Sequence, residues 1–362
     1  MRRIAIYIIR YMLMLLLVAS TWTACDVHEL PDPPERLGMK LRLEFDTHMG
    51  EQDWFFTRGS VVTRFYDTHD MRYIIRAYHL SEDNRVGSTY EQFNYYRPIR
   101  TVGDDYTMED EINLPAGRYR FLAWADFVER GSVKDLYYTP SSFNSITLYG
   151  SHKANTDYRD AFRGMADTTI VSSIVEHAAG TLVVPMERPL AKYTFVTTDL
   201  QEFIDKETRL MAVRGEQIDS TRAQHIVAED STRVNTRGLN LDDYKVVFYY
   251  PMYMPSTYNI FTDKPVDSST GIQYESKLTV LNNDEARMGF DYVMVNGSDA
   301  KVTLRVGLFD KHGNQISMSE PFDVPLNRSM NTIVRGKFLM LDAQGGVSID
   351  PSFDNDHNIK IE

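Results

Sequence analysis

Runs in which apolar and polar side chains alternate strictly recur along this chain, and they restrict its fold more than any other feature. In the range 41–46, leucine and phenylalanine alternate with arginine, glutamate and aspartate, and in the range 302–308 four aliphatic residues alternate with smaller or polar ones. A period of two is what a β-strand requires when one face is buried. Further strands are predicted at 71–78, 118–126, 244–250, 315–319 and 332–340. The short turn Asp310–Gly313 predicts a hairpin between two of these strands.

The predicted strands are many and short, which favours an all-β chain of two β-sandwich domains. The 22 tyrosines support this prediction, because aromatic side chains suit pleated, half-buried surfaces. Prolines at both ends of 185–189 interrupt the pattern, and we place a domain boundary there. The predicted domains are 39–186 and 187–362, and the second carries a polar, partly helical insertion at about 201–242.

One predicted strand, 118–126, carries a dense aromatic cluster. Tyr119 and Phe121 fall on one face together with two alanines, and Trp124 falls on the other face. This pattern predicts core packing for the cluster, on both faces of one sheet.

The N-terminus has the pattern of a secretory signal peptide. Arg2 and Arg3 precede the uncharged run 11–19, which is too short for a membrane span of about 20 residues. Small residues then lead to Cys25, which is the only cysteine in the chain. Residues 20–25 resemble a bacterial lipobox, in which the cysteine is acylated after cleavage in front of it. We therefore predict a signal peptide over 1–24 and a lipid on Cys25 that attaches the protein to a membrane.

The composition limits the partners that the exported chain can bind. Residues 25–38 are rich in proline and acidic residues, which predicts an extended tether after the lipidated cysteine. The whole chain has a formal net charge of −12, and removal of 1–24 takes away three arginines and no acidic residue. Nucleic-acid binding needs clustered Lys and Arg, so we expect no nucleic-acid partner.

Several segments resemble one known family. The stretches 114–127, 137–150 and 157–166 are similar to the first domain of the fimbrillin-associated anchor lipoproteins of Bacteroidetes. Residues 186–200 resemble the opening of that family's second domain, and 324–339 its closing strands.

The resemblance implies two tandem transthyretin-like, Greek-key β-sandwich domains and a place in a fimbria-like surface assembly. It also implies an outer-membrane lipoprotein that is exposed at the cell surface and whose partners are fimbrillin-like subunits. In that family, subunits join by β-strand addition. The first predicted strand begins soon after Cys25, which favours an anchor or accessory subunit over a shaft subunit.

Membership of that group of bacteria implies one kind of modification. Three short Asp-Ser/Thr-Thr/Ser motifs resemble the O-glycosylation signal of exported Bacteroidetes proteins. Their central residues, the candidate acceptors, are Thr168, Ser220 and Ser231.

No motif in the sequence indicates catalysis, a metal or a cofactor. The nine histidines are dispersed without an HExxH spacing, and the chain has neither a GxSxG motif nor a glycine-rich phosphate loop. We therefore predict that the protein is not an enzyme. The alternative function is a surface glycan-binding lipoprotein of a polysaccharide-uptake system. Its candidate patch, for a glycan or a protein partner, is Trp54, Phe55 and Phe56.

Overall fold

The computed structural model describes residues 12, 35–53, 68–99, 106–171, 181–215, 225–227, 233–297 and 299–341. The chain divides into residues 1–36 and a compact unit of residues 37–362, which contains all the elements discussed below except the first residue of the first strand.

Within the described ranges the chain forms strands β1 to β23 and one α-helix, α1. The strands up to the middle of the chain are β1 (Arg36–Phe45), β2 (Gly50–Asp53), β3 (His69–Leu80), β4 (Val86–Pro98), β5 (Met108–Pro115), β6 (Gly117–Glu129), β7 (Tyr138–Thr139), β8 (Ile146–Leu148), β9 (Ala161–Ile170), β10 (Thr181–Glu187) and β11 (Leu190–Thr197). After helix α1 (Leu200–Arg214) come β12 (His225–Val227), β13 (Arg233–Asn235), β14 (Lys245–Tyr249), β15 (Met254–Asn259), β16 (Lys264–Ser269), β17 (Gln273–Ser276), β18 (Thr279–Val280), β19 (Ala286–Met294), β20 (Ala300–Phe309), β21 (Gln315–Met318), β22 (Phe322–Leu326) and β23 (Met330–Gly336). Short 3-10 turns lie at Asp157–Arg159 and Leu241–Asp243.

The strands form four main sheets and one small ribbon. Sheet A has the order β4-β3-β6-β9-β10-β1-β5, and sheet B has the order β18-β19-β11-β23-β2. Sheet C is β16-β15-β8-β7, and sheet D is β17-β14-β20-β21, with β22 also paired to β20. Strands β12 and β13 form the ribbon. The all-β prediction is therefore confirmed, and the predicted hairpin at 310–313 is the turn between β20 and β21.

Sheet A encloses the N-terminal core. Strands from both ends of the strand order line this core. Leu41 and Leu43 of β1 pack in the same cluster as Tyr73 of β3 and Phe121 of β6. The predicted division of β6 is confirmed, because alternate residues such as Phe121 enter this core while Trp124 enters a different cluster. Alternation along β6 therefore gives two apolar faces, as a strand covered on both sides requires.

The C-terminal core lies between sheets B and D and is also covered by α1. The helix contributes Leu200, Phe203 and Ile204, a spacing of three and four residues that places them on one face. It ends at Gly215, whose left-handed φ of 71° is readily adopted by glycine. The polar stretch after β11 thus begins as an amphipathic helix.

A third cluster, the junction core, joins the two halves of the chain. It combines Ile74, Leu122 and Trp124 of sheet A with Leu190 and Tyr292 of sheet B. The halves also exchange strands, since β2 from the first half pairs with β23, and β8 pairs with β15. The two predicted domains therefore share both apolar packing and backbone hydrogen bonds.

Candidate functional site: open sheet edges beside a closed polar junction

A buried polar network crosses the junction between the two halves. Asp291 of β19 is fully buried and accepts a hydrogen bond from the Tyr250 hydroxyl at 2.7 Å. Its other partners are His152, with Nε2 at 2.6 Å, and Arg159, with Nε at 3.3 Å. The Tyr193 hydroxyl lies 2.7 Å from that of Tyr250 and extends the network into the C-terminal core.

The charges in this network keep Asp291 ionised. Burial alone would raise the pKa of its carboxyl group, but Arg159 and His152, with hydrogen bonds from His152 and Tyr250, hold that pKa below the usual 3.8. Burial raises the pKa of Tyr250 well above 10, and the negative charge of Asp291 adds to this effect. These groups are enclosed by protein, so their arrangement stabilises the junction and offers no contact to a substrate.

A second buried ion pair fixes the path of the chain between β1 and β2. The Arg188 guanidinium donates to the Asp160 carboxylate at 2.8 Å and to the backbone carbonyls of Thr47 and His48 at 2.9 and 3.0 Å. Burial raises the pKa of Asp160, and Arg188 partly offsets that rise. The connection that carries β2 into sheet B is thereby attached to both halves.

The outer edge of β4 is one of the two edges of sheet A. The strand has 13 residues and pairs with β3 on one side, and within the described ranges no strand pairs with its other side. Between Val86 and Tyr96 it carries a single charged side chain, Glu91. Edge strands of soluble proteins are usually protected by charges, prolines or bulges, and β4 has little such protection before Arg97.

The other edge of sheet A, β5, is protected. Its residues Glu109, Asp110 and Glu111 are exposed and acidic. One end of β4 is tied to β5, because Arg97 donates to the carbonyl of Thr107. Hence the two edges differ in charge, because β5 carries three consecutive acidic residues while Glu91 is the single charged residue of β4 before Arg97.

The edge of sheet B is covered only in part. Strand β2 has four residues and lies parallel to β23, with Gly50 opposite Met330 and Asp53 opposite Ile333. Strand β23 continues to Gly336, three residues beyond the last of these pairs.

The predicted acceptor Thr168 lies within β9. It is half-buried and shares a strand face with Ala166 and Ile170, which contact the N-terminal core. Its neighbour Asp167 is held by Arg120 through two hydrogen bonds of 2.7 Å. Glycosylation of Thr168 remains a prediction.

The other predicted site residues lie outside the described part of the chain. They are Cys25, Trp54, Phe55, Phe56, Ser220 and Ser231. Trp124 is described, and it is fully buried against Tyr138.

Sequence reasoning did not single out β4. Its residues at 90, 92, 94 and 96 are exposed and uncharged, and the other face of the strand is also mixed. Because neither face shows a continuous apolar pattern, the strand gives no clear period-two signal. A row of tyrosine and amide side chains at every second position is the signal that could have revealed it.

The described residues contain no group of three or more His, Cys, Asp or Glu side chains placed to bind a metal ion. Among the same residues, no helix has the length and apolar character that a membrane crossing requires.

Comparison with known proteins gives the family. The family described as a family of unknown function, DUF6562, matches residues 34–362. The chain belongs to this family. No curated protein matches the sequence.

Solved structures to which the chain is similar include a proposed adhesin and two fimbrial proteins. A proposed adhesin from Bacteroides ovatus is 11% identical, with 94% of this chain and 97% of that chain covered and a TM-score of 0.40. The fimbrial anchor protein Mfa2 from Porphyromonas gingivalis is 12% identical, with 80% and 82% covered and a TM-score of 0.35. A fimbrial assembly protein from Parabacteroides distasonis is 12% identical, with 83% and 90% covered and a TM-score of 0.36.

Proposed function

We propose that this DUF6562 protein is a non-enzymatic outer-membrane lipoprotein, exposed at the cell surface, that acts as an anchor or accessory subunit of a fimbria-like assembly. In this proposal Cys25 carries the lipid, and fimbrillin-like partner subunits bind by β-strand addition. The observation that carries the proposal is the long β4 edge, which is paired on one side only within the described residues.

The backbone of β4 supplies what strand addition needs. An added strand would gain main-chain hydrogen bonds to the N–H and C=O groups that point away from β3. The scarcity of charge from Val86 to Tyr96 lowers the cost of covering this edge. The acidic β5 would discourage the same event at the opposite edge of sheet A.

The membrane tether supports the same role. A lipid on Cys25 would attach the protein to a membrane, and the proline-rich acidic segment that follows it in the sequence has the composition of a tether. Attachment through two or three acyl chains gives stable anchoring at the membrane.

The test is a pull-down of the natively lipidated protein from cross-linked cells, with mass spectrometry of the recovered proteins. We expect fimbrillin-like subunits in complexes that resist heat in detergent. A matched Cys25→Ser variant should lose membrane attachment but still bind partners when both are mixed in solution. Recovery of a glycan importer without any pilin-like subunit would contradict the proposal and favour the polysaccharide-uptake alternative.

A further inference from the structure

The exposed face of β4 carries a row of side chains that resembles a ligand platform. Tyr90, Gln92, Asn94 and Tyr96 alternate along the strand and are exposed, so they share one face. At about 3.4 Å per residue, the row spans roughly 20 Å from the first tyrosine to the last. This row is called the β4 platform below.

The first aromatic ring of the platform is held in place from beneath. The Arg76 guanidinium lies 4.6 Å from the centre of the Tyr90 ring and 4.1 Å from that of Phe143. The Tyr78 ring lies 4.9 Å from Tyr90 on the same side of the sheet. Tyr90 nevertheless keeps 42% of its surface exposed. An ordered ring with an exposed surface loses little conformational entropy when a ligand stacks on it.

The amides between the tyrosines are also ordered. Arg76 Nε donates to Gln92 Oε1 at 2.8 Å, and Gln92 Nε2 donates to Asn94 Oδ1 at 3.1 Å. These bonds fix the orientation of both amides. Within the described residues Asn94 Nδ2 makes no hydrogen bond, so its two N–H donors are available to a ligand.

The absence of charge on the platform side chains favours an uncharged ligand. None of its four side chains is charged, although the chain as a whole carries a net charge of −12. Arg76 is buried and its guanidinium is covered by two rings and bonded to the carbonyls of Pro140 and Ser141. A ligand that matches this surface is uncharged, offers many hydroxyl groups and has flat apolar faces.

From these contacts we infer that the β4 platform binds a neutral glycan chain. Sugar rings would stack on Tyr90 and Tyr96, and the amides of Gln92 and Asn94 would exchange hydrogen bonds with the hydroxyl groups of the sugars in between. The binding face is perpendicular to the edge used for strand addition, so this inference does not depend on the proposed function.

Affinity electrophoresis in native gels tests the inference on residues 25–362 without a lipid, which is the chain that follows the predicted signal peptide. The probes are laminarin, mannan, xylan and dextran as neutral polysaccharides, with polygalacturonate and hyaluronate as acidic ones. We expect retardation by at least one neutral polysaccharide. In the double variant Tyr90→Ala/Tyr96→Ala the dissociation constant should rise about tenfold or more, as loss of aromatic anchors at a binding surface does.

Three matched variants separate stacking from a change in folding. The double variant Tyr90→Phe/Tyr96→Phe keeps both rings and should keep most of the binding. Asn94→Asp keeps the acceptor for Gln92 but removes the Nδ2 donors and adds a charge, so it should weaken binding without disturbing the strand. Tyr253→Ala removes a 69% exposed tyrosine from the second half and should bind like the unmodified protein.

The inference is overturned by any of three results. The first is no retardation by any neutral polysaccharide, and the second is retardation by the acidic ones alone. The third is unchanged binding in the Tyr90→Ala/Tyr96→Ala variant. If that variant instead loses a protein partner in the pull-down while no glycan retards the chain, the platform is a protein-binding surface.

Discussion

Asp291 is the residue on which the polar contacts of the junction converge. Its carboxylate is fully buried and contacts Arg159, His152 and Tyr250. Burying a charge is costly unless its partners remain in place, and removal of one partner leaves the others unpaired.

We expect Asp291→Asn to lower the free energy of unfolding at pH 7 by about 3 kcal/mol or more, because the variant leaves Arg159 buried without its counter-ion. The folded-state pKa of Asp291 is below 3.8, so its stabilising effect is complete above that pH and disappears as the pH falls through the lower folded value. Urea unfolding at pH 7 and at pH 3 measures this. The difference between the variant and the unmodified chain should shrink at the lower pH, and a pH-independent difference would contradict the assignment.

Gly164 marks a close approach between β9 and β10. A Cβ atom there would lie 2.8 Å from Val184 Cγ1 and 2.9 Å from the carbonyl of Pro185, besides contacting Met186 Sδ. We expect Gly164→Ala to cost about 1–3 kcal/mol of stability in thermal unfolding, since the backbone must move. Thr169→Ala, at an exposed position of the same strand, should change stability by about 0.5 kcal/mol or less. Equal effects of the two substitutions would contradict the close packing.

Among the elements, β4 is the longer of the two edge strands of sheet A, and only one of its edges is paired within the described residues. In an antiparallel pair, successive N–H groups point alternately toward and away from the neighbouring strand. Hydrogen exchange of the protein without partners should therefore show two classes of amide along β4, and uniformly slow exchange along β3, which has neighbours on both sides. Equal protection of all β4 amides would mean that another segment covers the edge.

Several of the strands could be predicted from the sequence alone. The strands β1, β3, β6, β14 and β20 were predicted from local sequence patterns, and the two faces of β6 follow from Tyr119 and Trp124. These features are local. The last predicted strand was too long, because β23 ends at Gly336 and the residues that follow, among them the buried Phe338, lie outside the strand.

Long-range pairing could not be predicted in this way. Nothing in the sequence around Gly50 indicates that β2 joins the sheet of the second half, and the pairing of Thr147 with Thr257 depends on the packing of both halves. The buried contact of Arg159 with Asp291 has the same origin, because charged residues usually occur at the surface and their burial depends on a distant partner. The β4 platform was missed because its polar face resembles an ordinary solvated strand.

At the scale of the whole molecule, the junction core and the shared sheets couple the two halves. Trp124 is buried against residues of both halves, and β2 and β8 pair across the junction. We expect the chain from residue 35 onward to unfold in a single calorimetric transition, with equal calorimetric and van't Hoff enthalpies. Fragments 39–186 and 187–362, expressed separately, should each be unfolded or markedly less stable. Two separate transitions would show that the halves are independent.

Addition of a partner's strand at the β4 edge can be tested in intact cells. The most direct measurement places a photo-crosslinking amino acid at Ser88, an exposed residue of β4, and at Val133, an exposed residue of the loop after β6, as control. After irradiation of cells, we expect Ser88 to yield a heat-stable adduct with an extended segment of a fimbrillin-like subunit and Val133 to yield none. Strand addition at β4 is ruled out if Ser88 gives no adduct or if both positions capture the same proteins.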